Sequence, residues 1–516
     1  MKRLLIALLM ALCGACLLAA PTVGKKASKP ALEPASSGPA GSARAVGLLG
    51  LTDQQIQKLQ TLQARSTKEY QAGQFDQAKK ALQEMLAISP GESTAWYNLA
   101  CVESRLGNQS GALADLNKAL DFGYADFRLL EKDDDLAALR QTSGYKQVLA
   151  RRDKVQQQRA GQIEQDLKAL FGQACLYEID HKDKLVFATT VDQPTLDDLK
   201  ARLRKEAAAL WSDLFANRLE QYVTVVVPSA DYRTNNPFLA GGGYYDQSAK
   251  MLVARQVGMV LQHEFAHALH DADQDALGQH HPIWIIEGFS TLCESARFDG
   301  GHLAPLPSQR LNLLQSLQAR GRLIPWSEFF KLEQPAYLQK AVVSYPQSRY
   351  ILMYLYDKGV LGKWYRAYTA GYRDDPGGGS AMEKVLGQPL ARIESDWKSW
   401  LGGLTPLVTA LPANHAYLGV RTAMDTDGLA VEQVVGGSGA DKAGLQRGDV
   451  ITRIEQDRVT EPEALLLIVD AHQVGDKLEV VYRRDGKYLS TVVTLQAMPA
   501  TLSERPRAAR TSRPAR

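Results

Sequence analysis

Cysteine is scarce in this sequence: there are five in 516 residues, and two of them, Cys13 and Cys16, fall within the first twenty. Cys101, Cys175 and Cys293 remain and allow at most one internal disulfide, which excludes a disulfide-stapled scaffold. Net charge is nearly absent as well, at +3. Lys2, Arg3, residues 21–50 and residues 501–516 together carry +9, leaving −6 over residues 51–500. A mildly acidic body has no electrostatic footprint for DNA or RNA, so no nucleic-acid partner is expected. Long apolar runs are missing beyond the N-terminal twenty residues. What is present is globular: 45% hydrophobic and 23% charged residues, in a chain long enough for two to four domains.

The opening MKRLLIALLMALCGACLLAA has two cations, an apolar run broken at Gly14, and small residues. It reads as a signal peptide over 1–20, too short to span a membrane, so the protein is expected to be exported, periplasmic or secreted, in a bacterium. The CGAC around Cys16 resembles a lipoprotein site, except that Cys13 stands where an aliphatic residue is expected. Membrane association would follow only from lipidation at Cys16. Residues 21–50, rich in Pro, Gly, Ala and Ser, read as a disordered linker, and 499–516 as a disordered basic tail.

A 34-residue repeat begins soon after. Gly73 recurs at Gly107, Ala78 at Ala112, Leu82 at Leu116 and Leu86 at Leu120. Small residues let paired helices approach, and the glycines make the tight turns. With Trp96, Leu99 and Ala100, the stretch resembles the tetratricopeptide (TPR) repeat, implying α-helical TPR hairpins over 51–160, with 124–150 as a partial third pair. Cys101 falls in this repeat and reads as a small core residue.

Residues 161–403 mix strands (175–179, 185–191, 222–229 and short ones in 241–255) with helices (163–171, 196–216, 257–271, 283–297, 308–319, 348–370, 390–401), an α+β order. Within them, HEFAH places His263 and His267 four residues apart on one helical face, able to offer two imidazoles to one metal. Glu264 is beside that face. Twenty residues after His267, in HPIWIIEGFSTLCES, Glu287 supplies the third donor of a His₂Glu site with one position open.

The HExxH motif, its spacing to Glu287 and the WIIEG context resemble the gluzincin zinc metallopeptidases, particularly the peptidase-MA-like group, over about 170–403. The resemblance implies one Zn2+ per chain, with His263, His267 and Glu287 as ligands and Glu264 as general base. It also implies an edge strand that aligns substrate, expected at 249–255 after GGGYY, and an oxyanion-stabilising tyrosine, Tyr345 in SYPQS, with Tyr350 as the alternative. His270, His280 and His281 are expected behind the ligands or at the surface. Glu294, seven residues after Glu287, either buttresses a ligand histidine or is an exposed helix charge. Two departures stand out: Thr291 occupies a position where gluzincins often carry an acid, and GGGYYDQ replaces the aminopeptidase GxMEN segment. An endopeptidase is therefore expected, not an aminopeptidase.

Residues 410–498 turn to short β-branched runs with one helix at 461–472, a mainly β domain. AYLGVRT and SGADKAGLQRGDVITRIEQDRV resemble the PDZ domains of bacterial envelope proteases, with Ala443 and Leu445 beneath a turn made by Gly444, Gly448 and Asp449. In such a domain Tyr417, Leu418, Gly419 and Val420 receive a peptide carboxylate. The expectation as a whole is an exported zinc endopeptidase acting on protein or peptide substrates, with TPR and PDZ modules for partners. Its rivals are a catalytically silent zinc-binding scaffold or assembly factor of the cell envelope, and a sensor that holds zinc structurally.

Overall fold

The computed structural model describes residues 51–228, 242–408, 411 and 413–499. The expected signal, the linker, Cys16 and the tail beyond 499 lie outside the described residues. The N-terminal region is helical: α1 (Asp53–Gln71), α2 (Phe75–Ile88), α3 (Ser93–Arg105) and α4 (Gln109–Asp121) pack as successive hairpins. Gly73 (φ +74°) and Gly107 (φ +81°) make the tight turns in a conformation that side chains resist. Ala78 and Ala112 are fully buried between helices, so the backbones close in where a larger residue would hold them apart. The short α5 (Phe127–Lys132) and α6 (Ser143–Ala150) add Phe127, Leu130, Tyr145 and Val148 to the core of α3 and α4, which also takes in Cys101. The next helix, α7 (Arg152–Phe171), runs straight across residue 160. Its Val155 belongs to that core, and its Ala160, Ile163 and Leu167 pack on a sheet.

That sheet has the order β1 (Leu176–Asp180), β2 (Leu185–Thr189), β3 (Val223–Val227), β5 (Met251–Ala254), β4 (Gly243–Asp246), with β2, β3 and β5 parallel and both edges antiparallel. β2 and β3 are buried at every position because both faces are covered. Val186, Ala188 and Val226 meet α7; Leu185, Phe187, Val225 and Val227 meet α8 (Gln193–Asp213), α9 (Met259–Leu277) and α10 (Ile283–Glu294) on the other side. The expected edge strand at 249–255 is corrected here. β5 is interior, and the edge is β4, which carries the YY of GGGYY. Asp246 turns the chain back, its carboxylate accepting from the backbone N–H groups of Ser248 and Ala249.

A hairpin of β6 (Ala296–Arg297) and β7 (Ala304–Pro305) leads to α11 (Arg310–Ala319), α12 (Trp326–Phe329), α13 (Gln334–Gln339), α14 (Ala341–Asp357), α15 (Leu361–Gly371), α16 (Gly379–Leu386) and α17 (Leu390–Gly403). The single helix expected over 348–370 is two, α14 and α15, because the chain turns at Gly359 (φ +67°). α14 also starts earlier than expected, before Pro346, and Val342, whose carbonyl loses its helical donor to that proline, lies exposed.

The C-terminal region is mainly β, in the sheet order β14 (Lys487–Thr494), β13 (Lys477–Arg484), β11 (Val450–Ile454), β10 (Leu429–Val434), β9 (Val420–Met424), with β12 (Asp457–Arg458) on β11 and β8 (Ala416–Tyr417) on β15 (Gln496–Ala497). Its helices are α18 (Gly439–Lys442) and α19 (Pro462–Asp470).

Candidate metal centre and peptide groove

Helix α9 carries His263, Glu264 and His267, and α10 packs against it with Glu287 facing the two imidazoles. The Nε2 atoms of His263 and His267 are 3.0 Å apart, and Glu287 Oε2 lies 3.3 and 3.6 Å from them. Ligand atoms on a tetrahedral zinc, each about 2.0–2.1 Å from the ion, stand about 3.3 Å from one another. The triangle therefore fits zinc. Glu287 Oε2 is also buried with no hydrogen-bond partner, an arrangement costly for a carboxylate oxygen unless a cation completes it. One ligand atom each from His263, Glu264 and His267 fall within 4.8 Å of one another, so Glu264 adjoins the same point.

The far sides of the rings fix which nitrogen faces the metal position. His263 Nδ1 lies 3.0 Å from Glu294 Oε1, and Arg310 grips both Glu294 oxygens at 2.8 and 2.9 Å. His267 Nδ1 meets Ser290 Oγ at 2.9 Å. With Nδ1 engaged in both rings, the Nε2 lone pairs point inward. Of the two readings of Glu294, the structure shows the buttress: the side chain is only 8% exposed, and although burial pushes its carboxyl up, His263 and Arg310 hold it down to about 2. Burial likewise opposes charge on His263, yet Glu287 and Glu294 together hold its pKa well above the usual histidine value. Burial raises the Glu264 carboxyl against the two histidines, a shift toward the basicity that a proton acceptor needs.

Thr291, at the position where gluzincins often carry an acid, spends its hydroxyl on the Glu287 and Gly288 carbonyls of its own helix. Ser290 and Arg310 were not foreseen. Ser290 was legible as a neighbour of Glu287 on one helical face, whereas Arg310 reaches Glu294 only through the β6–β7 excursion. His270 and His281 are neither at the surface nor behind the ligands. They pair with each other (Nε2 to Nδ1, 2.8 Å) in an aromatic pocket with Phe215, Phe289, Tyr365 and Tyr368. His280 is exposed.

Tyr345 adjoins the site. Burial raises its hydroxyl pKa, and the charges of Glu287 and Glu264 raise it further against Arg310, whose guanidinium lies 5.9 Å from its ring. Tyr350 is buried and turned away, its hydroxyl accepting from Ser308 N–H and donating to the Ser308 carbonyl. On the opposite flank, a Cβ added to Gly243 of the edge strand would stand 3.2 Å from Glu264 Cγ and 2.8 Å from the Val253 carbonyl. The glycine lets β4 pass close beside Glu264.

In the C-terminal region, Tyr417 and Leu418 are buried, Gly419 has φ +95°, and Val420 begins β9. The Leu418 carbonyl accepts from Ala440 N–H and the Gly419 carbonyl from Val435 N–H. Each peptide is trans, so the N–H groups of Gly419 and Val420 point the opposite way, out of the turn. Asp449 accepts from Gln446 N–H (2.7 Å) and is gripped by Arg484 at 2.6 and 2.8 Å, which holds the turn between Gly444 and Gly448.

Comparison with known proteins bears on this last region. Residues 416–495 match the PDZ domain family. A chloroplastic protein of Arabidopsis thaliana is 32% identical over 84 residues, 16% of this chain and 25% of that protein. The Do-like serine protease HtrA of Lactococcus lactis is 36% identical over 77 residues, 15% of this chain and 19% of that protein. The chain thus spans a quarter or less of the length of these curated relatives. An aminopeptidase N family protein from Idiomarina loihiensis aligns in structure over 63% of this chain and 67% of its own, at 14% identity and a TM-score of 0.27. This chain therefore contains a PDZ domain, a module that binds peptides.

Proposed function

We propose that this protein is an exported zinc-dependent endopeptidase of gluzincin type whose TPR-like helices and PDZ domain engage protein substrates or partners. The observation that carries the reading is the triangle of His263 Nε2, His267 Nε2 and Glu287 Oε2, with sides of 3.0, 3.3 and 3.6 Å and a buried carboxylate alongside. When bound there, zinc supplies a Lewis acid that polarises a peptide carbonyl and acidifies water. Glu264 accepts the proton of the attacking water and passes it to the leaving amine. Tyr345, whose hydroxyl makes no hydrogen bond within the described residues, donates to the developing oxyanion. The edge of β4, which pairs with β5 alone among the described residues, takes the substrate backbone and sets it across Glu264.

The test is metal analysis of the purified protein and digestion of an unstructured protein, for the wild type and for Glu264→Gln. Stoichiometric zinc in both, with cleavage in the wild type and a loss of about 10²-fold or more in the variant, is the expected result. Zinc without cleavage by the wild type would leave the scaffold as the better reading. Fractionation of cells expressing the full chain tests export.

A further inference from the structure

The PDZ domain is not hung on a free tether; it is docked on the start of the helix that carries the metal ligands. The turn after β9 accepts, at the Thr426 carbonyl, the N–H of Val257 (2.8 Å). At the start of α19, Glu461 accepts from the Gln256 side chain at 2.5 Å, and Thr460 packs so tightly on Gly258, the N-cap of α9, that any side chain there would collide with it. Arg297 grips Asp457 through two bonds of 2.8 and 2.7 Å, and Arg458 meets Asp198 on α8 at 2.6 Å. PDZ domains hold a peptide between the strand after the carboxylate turn and a helix, here β9 and α19, and one end of each reaches residues 256–258.

The groove has a direction. Its outward N–H groups, at Gly419 and Val420, lie at the start of β9, so a carboxylate bound there leaves the rest of the peptide to run antiparallel to β9, toward Met424 and the Thr426 turn. β9 is the last strand of its sheet and pairs with β10 alone among the described residues, so its outer edge is open to such a peptide. Val420, Leu465 and Ile468 are incompletely buried against the domain core, which leaves apolar surface on β9 and α19. The upstream chain leaves the groove where residues 256–258 begin, five residues before His263, a rise of about 7 Å along the helix. The mouth of the groove and the metal centre are thus neighbours.

We propose that the docked domain presents to the zinc cleft the chain upstream of a substrate C-terminus held in the PDZ groove, so that cleavage falls at a set distance from that C-terminus. This deepens the peptidase reading and rests on it. At about 3.3 Å per extended residue, the five positions of β9 and the remaining path place the cut on the order of ten residues from the end.

The test uses the full chain loaded with zinc and an unstructured substrate ending in leucine, as the free acid and as the C-terminal amide, with cut sites mapped by mass spectrometry. The expected result is at least tenfold faster cleavage of the acid. The cut should keep its distance from the C-terminus when ten Gly/Ser residues are inserted upstream of it, and the offsets should spread in the Gly258→Val variant, whose added side chain would meet Thr460. A fluorescein-labelled decapeptide acid should bind Glu264→Gln at least tenfold more tightly than its amide. Equal rates and equal binding for acid and amide, with chelator-sensitive cleavage intact, overturn this inference and leave the peptidase reading standing. Absence of chelator-sensitive cleavage from every substrate overturns both.

Discussion

His263 offers Nε2 to the metal position because Nδ1 is already engaged by Glu294. That carboxylate is one helical turn beyond Thr291, and Arg310 fixes it from behind. Glu294→Gln keeps the shape and removes the charge; its zinc affinity is expected to fall by about 10- to 100-fold, read by competition with a chromogenic chelator. The buried pair His270 and His281 has a different consequence. Burial lowers the His281 pKa to about 3, with His280 adding to the effect, so the folded state keeps this ring neutral while the unfolded chain takes up a proton below about 6.5. Stability is then fully present above that pH and is lost as pH falls from about 6.5 toward 3, by about 1.4 kcal/mol per unit for one such group. Melting temperatures of the wild type and His281→Gln, compared from pH 7 to pH 5, should show a flatter acid slope in the variant.

At the scale of elements, α10 is held at its C-terminal end by a fully buried cation. Arg349 of α14 donates to the carbonyls of Thr291, Ser295 and Leu306, with no carboxylate partner among the described residues, and satisfies groups that the helix end and the β6–β7 hairpin leave open. Arg349→Met would strand those carbonyls and is expected to cost about 3 kcal/mol or more, seen as a lowered calorimetric transition for the region of α8 to α17. In the N-terminal helices, Ala112 is sealed between neighbours, and Ala112→Leu should cost about 1–3 kcal/mol through overpacking. Helix periodicity and the 34-residue repeat made most of these elements legible. The edge strand was not legible, because strand propensity says nothing of pairing order and the glycines of GGGYY read as loop. Those glycines have their reason in space: Gly243 is where β4 must pass Glu264.

At the scale of the whole molecule, the exposed ion pair Arg297–Asp457 adds little stability to the docking of the PDZ domain, whereas the close approach of Gly258 to Thr460 is decisive. Gly258→Val should therefore loosen the domain while leaving its own fold intact, giving faster proteolysis between residues 404 and 416 with the PDZ core surviving as a fragment. The continuous helix α7 joins the N-terminal helices to the sheet in the same rigid manner, sharing its residues between two cores.

By itself the sequence marked which residues could meet at a metal site. Four-residue spacing on a helix forces His263 and His267 onto one face, and a third donor twenty residues on, in an apolar helical stretch, is the complement a metal requires. The PDZ domain was legible for a similar reason, since its glycine turns and β-branched strands are local signals. Tertiary structure alone decided what stands behind His263 and His267, which strand is the edge, that the Tyr350 hydroxyl is spent on Ser308, and that Thr460 and Glu461 meet residues 256–258. Each of these depends on residues far apart in the chain meeting through packing, and no local period encodes a meeting between Arg310 and Glu294, or between Thr460 and Gly258.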